Sequence, residues 1–176
     1  MRLRLNSLSV IPAVLFILGT AGSNDLVAQS SAGMSARGHV DVEVGGVTTE
    51  RYSFTARRDG EASAARGQFQ LFRNVGTAAE TKVHGEVTCL VEAPSLGNAA
   101  FVGGVITRAE PALADDAKLG MVWTVVDRGE GRNAEDAGSL MFGFGLLTAE
   151  QATQLCGVIG APALPSGRGN VQVSAR

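Results

Sequence analysis

Residues 39–57 read HVDVEVGGVTTERYSFTAR. Val40, Val42 and Val44 alternate with His39, Asp41 and Glu43. Tyr52, Phe54 and Ala56 then alternate with Arg51, Ser53, Thr55 and Arg57. A period of two places each apolar set on one face of an extended chain. Gly45-Gly46 stands between the runs as a two-residue turn, the favoured hairpin length. The stretch therefore predicts an antiparallel β-hairpin with one buried and one wet face.

The same signal recurs along the chain. Further strands are expected at Gly67–Phe72, Thr81–Leu90, Ala99–Thr107, Gly120–Val126, Ser139–Phe144 and Asn170–Val173. Val83, Gly85, Val87 and Cys89 are expected on one face of their strand, with His84, Glu86 and Thr88 on the other. Gly120–Val126 is apolar on both faces and reads as a central strand. Gly103-Gly104 predicts a bulge or bend within its strand. A two-turn helix is expected after Thr148, where Thr148 and Gln151 form a capping box and Gly157 ends the helix. No βα alternation is present. The pattern predicts an all-β fold: an antiparallel sandwich or small barrel of about eight strands with one short helix near the C-terminus. Residues 38–176 form the single domain, after a flexible lead-in over 29–37.

The N-terminus has a different character. Met1-Arg2-Leu3-Arg4 is positive, and the apolar run from Leu8 to Ala21 contains Pro12 and is too short to span a bilayer. Small residues follow. This is the form of a secretory signal peptide over residues 1–28, cut after Ala28. Leu26 is bulky for the position three residues before that cut, and cuts after Ala21 or Gly22 are alternatives. No cysteine lies near the cut, so a lipid anchor is not expected. The sequence points to Sec export into a periplasmic or extracellular space, with no membrane span in the mature chain.

Export changes how the two cysteines read. Cys89 and Cys156 are an even count in an oxidising compartment, which predicts one disulfide. In the chain-entropy model, closing so long a loop contributes on the order of 4 kcal/mol. The bond would staple the helix to the fourth strand.

Function is approached by exclusion. Hydrophobic residues make up 45% of the chain and charged ones 18%, which argues for a packed core rather than disorder. The net charge is −2, so the chain has no basic excess with which to bind nucleic acid. Nucleophile-elbow, zinc-protease and P-loop motifs are all missing. The acid pairs Glu86 with Glu92 and Asp115 with Asp116 read as solvated charges. His39 and His84 sit on polar strand faces. His84 with Glu86 lacks a third ligand for zinc.

One loop invites a chemical reading. Asp127, Glu130, Asn133 and Asp136 could offer oxygens to Ca²⁺. Their spacing is not that of an EF-hand, and Arg128 and Arg132 share the loop. The structural reading is preferred, with Asp127 capping a turn, glycines at positive φ, and the carboxylates paired with the loop's own arginines. No cofactor is expected.

Taken in order, Tyr52–Arg58, Gly67–Leu71, Val83-His84-Gly85, Val125–Gly131 and Gly169–Val173 resemble a group of exported, all-β bacterial domains of unknown function. That group carries F-x-A-x-R, G-x-hydrophobic-x-hydrophobic, V-H-G, D-N-G-E and G-N-hydrophobic-Q. The resemblance covers residues 38–173. Arg128 stands where the pattern has Asn, and residues 146–166 are extra. The resemblance implies a fold and an exported location and no activity. Three functions are carried forward: a non-enzymatic interaction module with an unknown partner, a small barrel holding an apolar ligand among small inward residues such as Gly85, Ala100 and Gly103, and a hydrolase with carboxylates gathered from distant strands.

Overall fold

The computed structural model describes residues 33–60, 64–112, 119–129, 135–158 and 167–175. The expected signal segment 1–28 lies outside them. In chain order the elements are β1 (Met34–Val44), β2 (Val47–Arg58), β3 (Arg66–Arg73), β4 (Thr81–Glu92), β5 (Ala99–Glu110), β6 (Leu119–Val126), β7 (Asp136–Gly138), β8 (Phe142–Thr148), α1 (Ala149–Val158) and β9 (Gly167–Ala175). A 3₁₀ turn at Pro94–Leu96 joins β4 to β5. Strand order is β5-β4-β3-β2-β1-β9-β7-β6, and β5 pairs with β6 to close the circle. The fold is a closed eight-stranded antiparallel barrel. β8 is an extra strand, laid along the β6 edge beyond the end of β7.

The first hairpin forms as its alternation requires. Val44 pairs with Val47 across Gly45 and Gly46, whose φ values of 62° and 80° suit a type I′ turn. β1 starts earlier than expected, however. Met34 and Ala36 are buried in phase with Val40 and Val42, and they pair with Arg58 and Ala56. Residues 34–37 are therefore barrel wall rather than flexible lead-in.

Eight strands enclose a space that side chains can fill. Here Trp123, 1% exposed, occupies it with Tyr52, Phe54 and Phe69 around it. Ring centroids lie 6.4, 5.8 and 5.2 Å from the indole. Such tilted and edge-on pairs contribute beyond simple burial. Glycine makes room for them. A Cβ on Gly85 would lie 2.2 Å from the Phe69 ring, and one on Gly138 would lie 2.2 Å from the Tyr52 hydroxyl. The space beside Gly85 is thus taken by an aromatic ring.

A bulge between Val87 and Cys89 changes which residues of β4 face inward. Val83, Gly85, Val87 and then Leu90 are buried, while Cys89 turns to the outer wall. Cys89 does not share the inner face with Val87, as simple alternation would have it. The irregularity expected at Gly103-Gly104 lies on the opposing strand. Gly103 also faces outward, and its Cβ would lie 3.1 Å from Cys156 Cβ.

The outer wall of β4, β5 and β6 is covered by α1. Ala152, Leu155 and Cys156 pack there on Val91, Phe101 and Val122. This explains why β6 is apolar on both faces. Thr148 Oγ1 accepts the Gln151 N–H at 3.2 Å, and Gln151 Oε1 accepts the Thr148 N–H at 2.9 Å, the expected reciprocal cap. The Cys89–Cys156 disulfide joins helix to strand with Cα atoms 6.3 Å apart. Beside it the Thr88 and Thr153 hydroxyls lie 3.2 Å apart.

So short a helix depends on tertiary contacts for its existence. Replacing both cysteines by serine should lower the midpoint of thermal unfolding by roughly 10–20 °C, the equivalent of about 4 kcal/mol of lost chain constraint. Scanning calorimetry of the double variant checks this, and the reduced native protein should match it.

Candidate functional site

The 127–136 loop is bound to the last strand. Asp136 is buried at 7% exposure. Its Oδ1 accepts the Arg128 N–H at 2.8 Å, and its Oδ2 accepts the Val171 N–H at 2.7 Å. Asp127 Oδ1 accepts the Gly129 N–H at 2.8 Å, closing a turn in which Gly129 has φ 88°. Asp127 Oδ2 accepts the Val173 N–H and the Asn98 side-chain amide, both at 3.0 Å. Asn98 also donates to the Val173 carbonyl at 3.2 Å.

The reason lies in strand length. β7 has three residues and meets β9 only at Gly167, Arg168 and Gly169. Among the described residues no strand faces β9 beyond Gly169 on that side, so its N–H groups need other acceptors. Asp136 and Asp127 provide them at alternate residues, 171 and 173.

The turn cap and the positive φ at Gly129 are as expected, while the expected pairing of carboxylates with Arg132 lies outside the described residues. The described partners of the Asp127 and Asp136 oxygens are backbone amides and the Asn98 side chain. The Arg128 guanidinium donates to the Glu135 carbonyl at 3.2 Å, and Glu135 pairs with Arg168 at 3.5 Å. Glu130, Arg132 and Asn133 lie outside the described residues. Among the described residues no group of three or more His, Cys, Asp or Glu side chains is placed to hold a metal.

A second buried polar cluster escaped the sequence reading. Glu50 is 2% exposed and sits directly across from Arg73 in the β2–β3 register. Its Oε1 accepts Arg73 Nε at 2.7 Å, and its Oε2 accepts the Met141 N–H at 3.0 Å. Arg73 donates to the Met141 carbonyl at 3.3 Å, and the Tyr52 hydroxyl donates to the Ser139 carbonyl at 2.9 Å. Ser139 and Thr124 exchange two further bonds, each 2.9 Å. Residues 139–141 are thereby held across one barrel end. That is why residues 139–141, expected to start one strand over Ser139–Phe144, instead connect β7 to β8. Strand phase could have revealed Glu50, because it shares the inward phase of Tyr52, Phe54 and Ala56.

The remaining candidates lie on the wet outer wall. Cross-strand partners align Asn170, His39, Ser53, Gln70 and His84 in one row over β9, β1, β2, β3 and β4. The adjacent row is Gln172, Arg37, Thr55, Gln68 and Glu86. Both histidines thus fall in one row, three strand spacings or about 14 Å apart. Two shallow depressions of about 410 and 270 Å³ lie between the rows and meet at Phe54-Thr55. Glu86 and Glu92, the acid pair considered for hydrolysis, lie on one strand roughly 20 Å apart. That exceeds the spacing a glycosidase pair uses. Asp115 and Asp116 are outside the described residues. No helix among the described residues is long and apolar enough to cross a membrane.

Comparison with models of protein families, with curated protein sequences and with solved structures finds no match.

Asp136→Ala should cost roughly 2–4 kcal/mol, because it strands two amides, whereas Arg51→Ala, which breaks an exposed pair with Asp41, should cost under about 1 kcal/mol. Urea unfolding at equal denaturant slope compares them. Millimolar Ca²⁺ should leave the melting temperature unchanged, since both aspartates are already committed to N–H donors.

Burial, and after it the Glu50 carboxylate, raise the Tyr52 pKa well above its ordinary value of 10.0. A raised folded-state pKa means that this contribution to stability is fully present below pH 10 and is lost as pH climbs toward the folded value. Tyr52 is the chain's single tyrosine. Phenolate absorbance should therefore appear together with unfolding above pH 10, and Tyr52→Phe should flatten that alkaline loss.

Proposed function

We propose that this chain is an exported, non-enzymatic β-barrel domain that binds a partner on the outer wall formed by β9, β1, β2, β3 and β4. The observation that carries this reading is the contrast between the barrel's interior and that wall. Trp123, Tyr52, Phe54 and Phe69 fill the interior, while the two outward rows carry amides, hydroxyls and imidazoles around open depressions.

Export is supported by the charged start, apolar run and small residues of the N-terminus, and by a disulfide suited to an oxidising compartment. The motif order shared with exported domains of unknown function points the same way. The apolar-ligand reading has less support, because the Phe69 ring occupies the space beside Gly85 and Gly103 lies under the helix.

The test is site-specific photo-crosslinking in the producing cell. A crosslinker at Ser53, in the centre of the wall, should yield covalent adducts. One at Gln154, exposed on α1, should not. Adducts at Gln154 alone, or at neither position, would sink the proposal.

A further inference from the structure

We propose that the trough between the two outward rows binds one strand of an acidic, uronate-bearing polysaccharide. This rests on the binding-wall reading above and names the class of ligand.

The shape comes first. Residues two apart along each strand stand on the same face, so the rows run parallel across the sheet about 7 Å apart. From β9 to β4 is four strand spacings, or about 19 Å. Inward-facing residues separate the rows. Gly38, Phe54 and Phe69 thus floor the depressions with backbone, and the side chains of Phe54 and Phe69 point into the core. The result is a shallow channel running across the strands, with the footprint of one extended polymer.

The lining selects the polymer. Asn170, Gln172, Ser53, Thr55, Gln68 and Gln70 each offer both donor and acceptor atoms. That is the complement of a chain of hydroxyls, each of which also does both. Three of the chain's six glutamines and both of its histidines are gathered here. The ionisable groups lining the depressions are Arg37, His39 and His84, all bases, and no carboxylate lines either one. Arg37 donates twice to Gln172 Oε1, at 2.9 and 2.6 Å, and so is held in place without being neutralised. Beside the trough Asp41 pairs with Arg51 and lies 3.8 Å from His39, so Arg37 is a lining base with no carboxylate partner among the described residues. A carboxylate on the ligand would meet Arg37, and Glu86 would turn it away at the far end of that row.

Other occupants fit less well. A peptide strand docks on a free sheet edge, and a closed barrel offers none along this wall. Single-stranded nucleic acid needs large aromatic platforms, and neither row contains Phe, Tyr or Trp.

Thr55 gives the decisive test. It is exposed, both depressions share it, and it lies directly opposite Arg37. Affinity electrophoresis and calorimetry of the exported, disulfide-intact chain would use a soluble polygalacturonate oligomer, with dextran as the neutral probe. Wild type should bind polygalacturonate and not dextran. Thr55→Lys should tighten binding about three- to tenfold, and Thr55→Glu should weaken it at least tenfold by neutralising Arg37. Arg37→Gln should weaken it similarly, while Ala78→Glu, on an exposed turn, should leave it unchanged. Equal effects of Thr55→Lys and Thr55→Glu, or binding of dextran in place of polygalacturonate, would overturn the proposal. Absence of polygalacturonate binding while Ser53 adducts persist would overturn the ligand class alone. Loss of both would overturn the binding wall as well.

Discussion

Everything in this fold depends on closing the circle between β9 and β6. A sheet curled into a barrel has no free edges only if its last gap is filled. Here β7 spans three residues of that gap and stops. Two aspartate side chains complete what the missing strand would have done, meeting the amides of Val171 and Val173, while Asn98 meets the Val173 carbonyl. Carboxylates that accept several N–H bonds are well solvated by the protein itself. Side chains standing in for a strand are also shape-specific, so they fix register where a short ladder could slip. The chemistry that first suggests a cation site in the loop is the chemistry of this closure.

The wall so completed has two unlike halves. The end of β4 and the facing parts of β5 and β6 are covered by α1 and the disulfide, and the outward residues there, Cys89, Val91, Phe101 and Val122, are small or apolar. Among the described residues no helix covers β9, β1, β2, β3 or the first half of β4, and their outer residues are mostly polar. A β-strand shows its two faces alternately, so covering one part of a barrel and baring another needs only a change in the outward set. The bulge at Val87/Cys89 marks the border, turning a cysteine outward to where the helix can be anchored.

What could be read in the sequence was what local periodicity encodes. The β1–β2 hairpin follows from alternation and Gly45-Gly46, the helix start from Thr148 and Gln151, and the cysteine pairing from parity. What could not be read was set at a distance. The acceptor for Val173 lies 46 residues earlier, and the carboxylate that halts the chain at Met141 lies 91 residues earlier. The facing of Cys89 depended on a bulge with no local mark. Met34 and Ala36 were legible in principle, because they share the phase of Val40, but small neighbours made them look like linker. The binding rows are visible only once register is known. His39 and His84 share a row because β1, β2, β3 and β4 pair in step, and no single segment says so.

The β1–β9 pairing bears on how the molecule comes into being. Arg37 and Gln172 meet across a sequence separation of 135. β1 can form its hairpin with β2 at once, but its other edge has no partner until residue 175 has been made. Closure over such a separation is slow, because chain entropy opposes it until the last strand arrives. The chain therefore stays an open sheet while any part of β9 is missing, and it becomes a barrel only when the last strand is in place.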